Sequence, residues 1–534
     1  MHKTIIGIDV GGTHIDGVVF KDGKMEKFHK YPYVKENLQE SIHDTIDLLI
    51  KDYKDDALQI QLSTTLSTNT IAEKTGKKTT LILEPGPGMV YDFTHLDAEI
   101  FNLNSYVDHQ GNEIKKTDHK RLSQIKSKYD TLGIVGKFST RNPTHEKEIK
   151  AFFENDFDFI TEGHTLSGKL NYPRRVETTF LNNYVYHNFK PFAQEFLNKF
   201  ESVNILKADG GTLPLSDAIS KPVETILSGP AASFMGLKAM LDQKGDGILF
   251  DIGGTTTDVF FVVDGEPLFE PKGIQIEAYK TLVRSIYSFS LPLGGDSVVE
   301  ITGDEISFSK RDGFALGFGG DKLTLTDALI ALDKMEAPHK DKAIKALSLI
   351  DEDIKTLAQR IVDMFVLKIY EAVNAQLSIL NTKPVYTIRE VLEDRQIKPS
   401  FIQAIGGPTQ ALKSSLKSIF ALPVTVPKAY AYANALGAAL SRPTKHITVM
   451  ANTRKGNVLV SEENFEAKIT HRYTLDDAID LAKTLLDEED IDIIEAQSFN
   501  MVSYGYGADK NIRVEAQIKP ALLYELKEDL NAKT

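Results

Sequence analysis

The sequence predicts an α/β protein of two lobes with similar topology, followed by a small α+β domain. Two observations carry this reading. One phrase occurs twice: residues 5–20 read IIGIDVGGTHIDGVVF, and residues 247–262 read GILFDIGGTTTDVFFV. Both contain Asp-x-Gly-Gly-Thr-x-x-Asp, as Asp9 to Asp16 and as Asp251 to Asp258, with every matched position 242 residues apart. Around each copy, strand-like and helix-like stretches alternate, the pattern of a layered α/β fold.

Each copy reads as strand, tight turn, strand. The flanks are rich in Ile, Val and Phe and lack helical spacing of apolar residues. Paired glycines let the backbone turn sharply and bring its N–H groups to an anion. The threonine adds a hydroxyl donor, and an aspartate beside phosphates suits a divalent metal. One copy alone would read equally well as an ordinary β-hairpin. The recurrence of the whole pattern points instead to two phosphate-binding hairpins, one per lobe.

Bulk composition narrows the class. At 534 residues the chain has room for several domains. It is 42% hydrophobic and 26% charged, as in a soluble globular protein. A net charge of −13 argues against nucleic acid or an acidic membrane as the main partner. It leaves room for a local nucleotide site. There is no cysteine, hence no disulfide, no cysteine-held iron–sulfur cluster and no thiol nucleophile. A cytoplasmic location is expected, with no leader at the start and no apolar run long enough for a membrane span. The thirteen histidines form no short metal-ligand cluster.

In chain order, Glu36–Lys51 has helical apolar spacing, and Ile60–Lys74 runs from a strand through a Ser/Thr/Asn turn into a helix. Thr79–Glu84 is a strand followed by a Pro/Gly turn. Leu132–Phe138 is a strand leading to Asn142–Glu146, a helix start. Ile160–Leu166 and Arg174–Tyr186 suggest a strand, a loop and a helix. Asn204–Gly211 is a strand with a glycine turn. A helix begins near Ser228-Gly229-Pro230, whose small residues suit close approach to an anion. Beyond the second hairpin, Leu291–Asp296 is another glycine turn, and 298–310 alternate like strands. Asp351–Leu380 is a long amphipathic helix. Phe401–Lys413 is strand, glycine turn and helix; Leu422–Val426 is a short strand; Ala429–Leu440 is an Ala-rich helix. The tail alternates strand and acidic helix, with Thr474–Glu488 helical and Ile512–Ile518 extended. The expected division is 1–200, 201–443 with an insertion around 300–345, and 444–534.

Several phrases in order resemble one family over roughly residues 4–440. They are GIDVGGTHIDGVVF, LSTTLSTNTIAEKTGKKTTLI, NPTHE, ADGGTLPL, PVETILSGPAAS, FDIGGTTTDVFFV, LPLGGDSVVEI, TDALIAL, IREVLEDRQIKPSFIQAIGGP and ALGAAL. This series is similar to the A-type, ATP-using subunit of the hydantoinase/oxoprolinase family, to which acetone carboxylases are related. The resemblance implies the actin, Hsp70 and sugar-kinase superfold: two ribonuclease H-like lobes around a nucleotide cleft. Departures are His14 where an aromatic residue is usual, a Gly406-Gly407-Pro408 turn that differs from the family's, and a shortened stretch around Arg311–Ala328.

Carried onto this chain, the resemblance implies a first phosphate hairpin of Asp9, Gly11, Gly12 and Thr13 and a second of Asp251, Gly253, Gly254 and Thr255. Ile405, Gly406 and Gly407 would form the adenosine turn, and Gly294, Gly295 and Asp296 a further nucleotide-proximal turn. Asp9 and Asp251 would organise Mg²⁺ (or Mn²⁺) with ATP or orient the nucleophile; the sequence does not separate these roles. Thr64, Thr65, Thr68 and Asn69 are placed as substrate or phosphate contacts. The implied activity is ATP-dependent opening of cyclic amides or imides, or carbonyl activation in a carboxylase, with a small-molecule substrate and a B-type companion subunit. Homo-oligomerisation stays open. Alternatives are a small-metabolite kinase of the same superfold and a nucleotide-gated binding or assembly protein. An activator of a radical dehydratase is disfavoured, because its cluster needs cysteines.

Overall fold

The computed structural model describes residues 3–11, 14–32, 38–53, 57–88, 90–270, 272–382, 396–488, 490–501, 509–524 and 526. Strands β1 (Lys3–Val10), β2 (His14–Lys21), β3 (Lys24–Pro32) and β4 (Ala57–Thr64) begin the first sheet. Strands β5 (Thr79–Glu84), β6 (Ala98–Asn102), β7 (Thr131–Gly136) and β8 (Phe159–Glu162) form a separate parallel sheet in the order β8-β7-β5-β6. The chain then returns: β9 (Val203–Leu206) and β10 (Thr212–Pro214) complete the first sheet as β10-β9-β4-β1-β2-β3. Residues 203–214, expected with the second lobe, therefore belong to the first.

The second large sheet repeats the centre of the first. It contains β11 (Gly247–Ile252), β12 (Thr257–Val263), β13 (Ser288–Leu291), β14 (Phe401–Ile405) and β15 (Val424–Thr425). β1 pairs antiparallel with β2 and parallel with β4. β11 likewise pairs antiparallel with β12 and parallel with β14. Both doubled phrases are thus hairpins, as expected. Asp9 lies opposite Asp16, and Asp251 opposite Asp258, in the same register.

Strand periodicity decides what each hairpin faces. On β1, Ile6 and Ile8 join the core under α1 (Leu38–Ile50), which supplies Ile42, Ile46 and Leu49. Ile5 joins the opposite core, under α8 (Ala433–Leu440), and Gly7 touches the same helix. Asp9 continues that Ile5–Gly7 face. On β11, Leu249 meets α5 (Ser228–Ala239), while Ile248, Phe250 and Ile252 meet α6 (Ile354–Thr382) and α7 (Thr409–Phe420). Asp251 continues the Leu249 face.

The two central helices, α5 and α8, lie against each other with almost no side chain between them. A methyl group added at Gly236 would sit 2.0 Å from the Ala433 carbonyl oxygen. One added at Gly437 would sit 2.0 Å from the Ala232 carbonyl oxygen. The contact is reciprocal: Ala232-Ser233-x-x-Gly236 and Ala433-Asn434-x-x-Gly437 are equivalent segments, 201 residues apart. A methyl group at Gly7 would likewise lie 2.3 Å from the Ala435 carbonyl oxygen. Strand, helix and helix are therefore stacked backbone on backbone.

The remaining helices, among them α2 (Leu66–Ala72) and α3 (Thr144–Phe152), close the layers. α4 (Tyr172–Leu197) runs well past its expected end at Tyr186. Its first half packs Val176 and Phe180 on the parallel sheet, and its second half packs Phe189 and Phe196 on the first sheet. At the C-terminus, β16 (His446–Asn452), β17 (Asn457–Val460), β18 (Phe465–Lys468), β19 (Ile491–Asn500) and β20 (Lys510–Ile518) form one antiparallel sheet. Helix α9 (Leu475–Leu486) packs on one face of it, over Ile447, Val449, Val514 and Ala516. Much of the expected IREVLEDRQIKP phrase lies outside the described residues.

Gly437→Ala should lower stability by about 1–3 kcal/mol through overpacking. Gly407→Ala, where an added methyl group meets nothing within 4 Å, should leave the melting temperature unchanged. Thermal unfolding of the two variants side by side checks both.

Candidate active site

Each hairpin closes with the same backbone hydrogen bond. The Gly11 N–H donates to the His14 carbonyl at 3.1 Å, and the Gly253 N–H to the Thr256 carbonyl at 2.9 Å. Gly12 and Thr13 of the first turn lie outside the described residues. In the second turn Gly254 and Thr255 are exposed.

The carboxylates converge on the crossing of α5 and α8. The Ser233 hydroxyl donates to Asp251 Oδ2 at 2.7 Å and also lies 3.1 Å from Asn434 Oδ1. Asn434, on the other helix, acts on both Asp9 and Asp251. Burial, reinforced by the Asp16 carboxylate, pushes Asp9 up to about 7; Ser63 and Asn434 partly offset this, and Asp251 adds to it. Burial also raises Asp251, against the hydrogen bond from Ser233. Asp258 is pushed up to about 7 by burial and then by the Asp251 charge. Two carboxylates directly opposed across a strand pair repel. Asp16 is relieved by Lys30, whose ammonium is 2.9 Å from its Oδ2. Asp9 Oδ1 and Asp16 Oδ1 are buried without a hydrogen-bond partner among the described residues.

The turns around this floor interlock. At the first hairpin, the Thr65 N–H donates to the Val10 carbonyl, and Ser228 Oγ donates to the Thr64 carbonyl at 2.6 Å. Thr64 is buried, with its Oγ1 accepting the Leu66 N–H. Thr68 Oγ1 accepts the N–H of Leu227, a residue held at a left-handed φ of 59° just before α5. Both hydroxyl oxygens thus accept a backbone N–H, and each keeps its own O–H donor. The Asn69 side chain donates to Thr65 Oγ1, and Thr65 faces Gly229 at the start of α5.

At the second hairpin, the Gly295 N–H donates to the Gly253 carbonyl at 2.9 Å, and the Asp296 N–H to the Gly254 carbonyl at 2.7 Å. These two N–H groups brace the hairpin. Asp296 itself pairs with Arg311 at 3.4 Å. Gly406 has a φ of 104°, and a methyl group on it would strike the Ile252 carbonyl oxygen at 2.1 Å. The three expected turns of the second lobe, at 253–255, 294–296 and 405–407, therefore meet.

Sequence reading missed Asp16, Lys30, Ser63, Ser233, Asn434 and Asp258 as site residues. Asp16 and Asp258 carried a signal, as the last position of the doubled motif. Ser233 and Asn434 sit in a repeat too short to notice without the helix crossing.

The raised carboxyls give a pH signature. Between about 4 and 7 the folded protein keeps on Asp9 a proton that the unfolded chain has lost. Stability should therefore fall as pH rises through that window and level off above it. Asp9→Asn should be more stable than the parent at pH ~8, on the order of 1–3 kcal/mol, and about equal to it at pH ~4. Denaturant unfolding of the nucleotide-free protein at the two pH values measures this.

Comparison with known proteins agrees with the fold. The family model for hydantoinase/oxoprolinase matches residues 175–447, and that for the hydantoinase/oxoprolinase N-terminal region matches residues 5–157. The chain is 21% identical over 392 residues to the acetophenone carboxylase gamma subunit of Aromatoleum aromaticum, covering 61% of this chain and 53% of that one. It is 25% identical over 251 residues to 5-oxoprolinase 1 of Arabidopsis thaliana, covering 38% and 20%. The chain thus spans about half the length of the first relative and a fifth of the second. Among solved structures, the ATP-dependent caprolactamase of Pseudomonas jessenii superposes with a TM-score of 0.72 at 17% identity, covering 98% of this chain and 88% of that one. A nucleotide-free acetone carboxylase superposes with a TM-score of 0.67 at 13% identity, with the same coverage. Matched over both segments, and folded as two α/β lobes joined by the α5–α8 crossing, the chain belongs to the hydantoinase/oxoprolinase family.

Proposed function

We propose that the chain uses ATP to activate a carbonyl, as a hydrolase of cyclic amides or imides of the hydantoin or 5-oxoproline type or as the ATP-using component of a carboxylase. The observation that carries this is geometric: Asp9 and Asp251 each lie at the end of the first strand of a glycine hairpin, and at the α5–α8 crossing Ser233 joins Asp251 to Asn434. Family membership supports the reaction class, and the named relatives include both a carboxylase subunit and an oxoprolinase.

The residues fit a nucleotide with a divalent ion. The donor set is oxygen only, and Asp9 Oδ1 is a buried acceptor lacking a partner among the described residues. No cluster of three or more metal-suited side chains occurs among the described residues. That suits Mg²⁺ (or Mn²⁺), which takes one or two carboxylates and completes its shell with water and phosphate. Bound at Asp9 and Asp251, directly or through water, such an ion would neutralise charge on the phosphates. Gly11, Gly12 and Thr13 on one side, and Gly253, Gly254 and Thr255 on the other, would cradle the phosphates. Gly407, open on its Cα, lets the adenosine approach the 405–407 turn. We place Thr65 and Asn69 beside Gly229 as the substrate or phosphate contacts, with Thr64 and Thr68 holding their turn.

In this scheme the substrate carbonyl oxygen attacks the terminal phosphorus, the bond to the ADP oxygen breaks, and water or another nucleophile adds to the activated carbon; in a cyclic amide the ring C–N bond then breaks as nitrogen takes a proton, and hydrolysis of the acyl phosphate frees phosphate. Asp9 or Asp251 would accept the proton of that nucleophile. Ser233 donates to Asp251, and Asn434 of the other helix lies beside that hydroxyl. No helix among the described residues is long and apolar enough to cross a membrane. We take the protein to work in the cytoplasm with a B-type companion subunit.

The purified chain, with and without that companion, should hydrolyse ATP faster with a hydantoin, 5-oxoproline or a ketone. Asp9→Asn and Asp251→Asn should each lower this activity about 100-fold or more while the protein stays folded. Asp251→Asn at parental activity removes the second hairpin from the mechanism. A stable phosphorylated product in place of free phosphate assigns a metabolite kinase instead. ATP turnover indifferent to the whole panel assigns a binding or assembly protein.

A further inference from the structure

The C-terminal sheet has two unlike faces. Ile447, Val449, Ile512, Val514 and Ala516 lie buried on the face under α9. The alternate residues form the other face. Cross-strand pairing sets Gln497 beside Arg513 and Arg513 beside Met450 in one row. Phe499, Asn511 and Asn452 make the next row. This second face meets the loop around Gln110, together with Arg141 and Leu170, and between them lies a half-open cavity of about 160 Å³.

The lining combines excess positive charge with apolar surface. Arg513 is already matched, by Glu495 at 3.2 Å and Glu515 at 3.3 Å. Arg141 and Lys455 have no such ion pair among the described residues. The nearby Asp108 carboxylate is engaged by the N–H groups of Gln110 and Asn112 and by the Asn112 side chain. Arg141 donates one terminal nitrogen to the His109 carbonyl, but its Nε is buried without a partner among the described residues. Burial lowers both Arg141 and Lys455 despite Asp108, and Arg141 further lowers Lys455. Leu170, Met450 and Leu459 add apolar wall, and Phe499 is 57% exposed. A cavity of about this size accommodates a benzene-sized body, so a ligand of roughly six to ten non-hydrogen atoms fits.

We propose that this sheet face and the loop above it bind a small carboxylate with a compact apolar body, at a site separate from the paired hairpins. Its carboxylate lies between Arg141 and Lys455, and its apolar part rests against Leu170 and Phe499. None of the lining residues belongs to either hairpin, so the proposal stands independently of the assigned reaction.

Calorimetry on the full chain tests it with benzoate, hexanoate and glutarate, and with benzamide and inorganic phosphate as controls. At least one carboxylate should bind with Kd below about 1 mM. Benzamide should bind at least about tenfold more weakly than benzoate, and Lys455→Gln should weaken carboxylate binding by a similar factor. No carboxylate binding up to about 10 mM, phosphate binding as tight as the best carboxylate, or unchanged binding in Lys455→Gln each overturns it. Because the chain has no cysteine, Gln497→Cys places a single thiol on the cavity wall. The bound carboxylate should slow its alkylation several-fold in protein whose melting temperature is unchanged; equal rates with and without carboxylate also overturn the proposal.

Discussion

The structure depends on one contact: the backbone-to-backbone crossing of α5 and α8 at Gly236 and Gly437. Each glycine receives the carbonyl of an alanine from the other helix, so the two sides of the crossing make equivalent contacts. Close-packed interiors resist even one extra methyl group, and here it would meet backbone that cannot turn away. Any side chain at either glycine would push the helices apart and carry their sheets with them. The distance between the two hairpins is therefore set by a hydrogen atom on each Cα. Buried glutamines reinforce the arrangement: Gln61 of β4 donates to the Ser441 carbonyl just past α8, and Gln403 of β14 donates to the Leu237 carbonyl of α5.

That crossing also fixes the electrostatics. Ser233 and Asn434 occupy equivalent places on the two helices and meet at the axis. They are the polar groups through which two buried carboxylates come near each other. Four aspartates in two cross-strand pairs form a destabilising arrangement, relieved locally by Lys30 at Asp16 and by hydroxyl and amide groups elsewhere. Perturbed carboxyls of this kind cluster at functional sites. The fold holds them because the central strands and helices around them are otherwise apolar and tightly packed.

The C-terminal sheet uses the same strand rule for a different end. Alternation sends Val449 and Val514 under α9 and sends Met450 and Arg513 to the opposite face. The Gly168 N–H donates to Glu462, tying a loop of the first half to this sheet. The unlike second face is thereby roofed by chain that in this contact lies 294 residues earlier in sequence. A cavity results where neither partner alone would have one.

The doubled Asp-Gly-Gly-Thr hairpins, the main strands and the family were determined by the sequence itself, because each is local: turn chemistry, period-two apolar flanks and ordered phrases. The strand Lys24–Pro32 escaped notice because it is a charged edge strand with half-exposed side chains, lacking the apolar signal of a central one. The return of residues 203–214 to the first sheet was likewise hidden, since strand partners far apart in sequence leave no local mark. The family resemblance sets Thr64 and Thr68 near the cleft, and only the fold shows that their hydroxyl oxygens accept neighbouring N–H groups. Asn434 sits in an alanine-rich helix that reads as plain packing. Its role at the site arises from where α8 crosses α5, and that position is set by two glycines that the sequence presents as unremarked small residues.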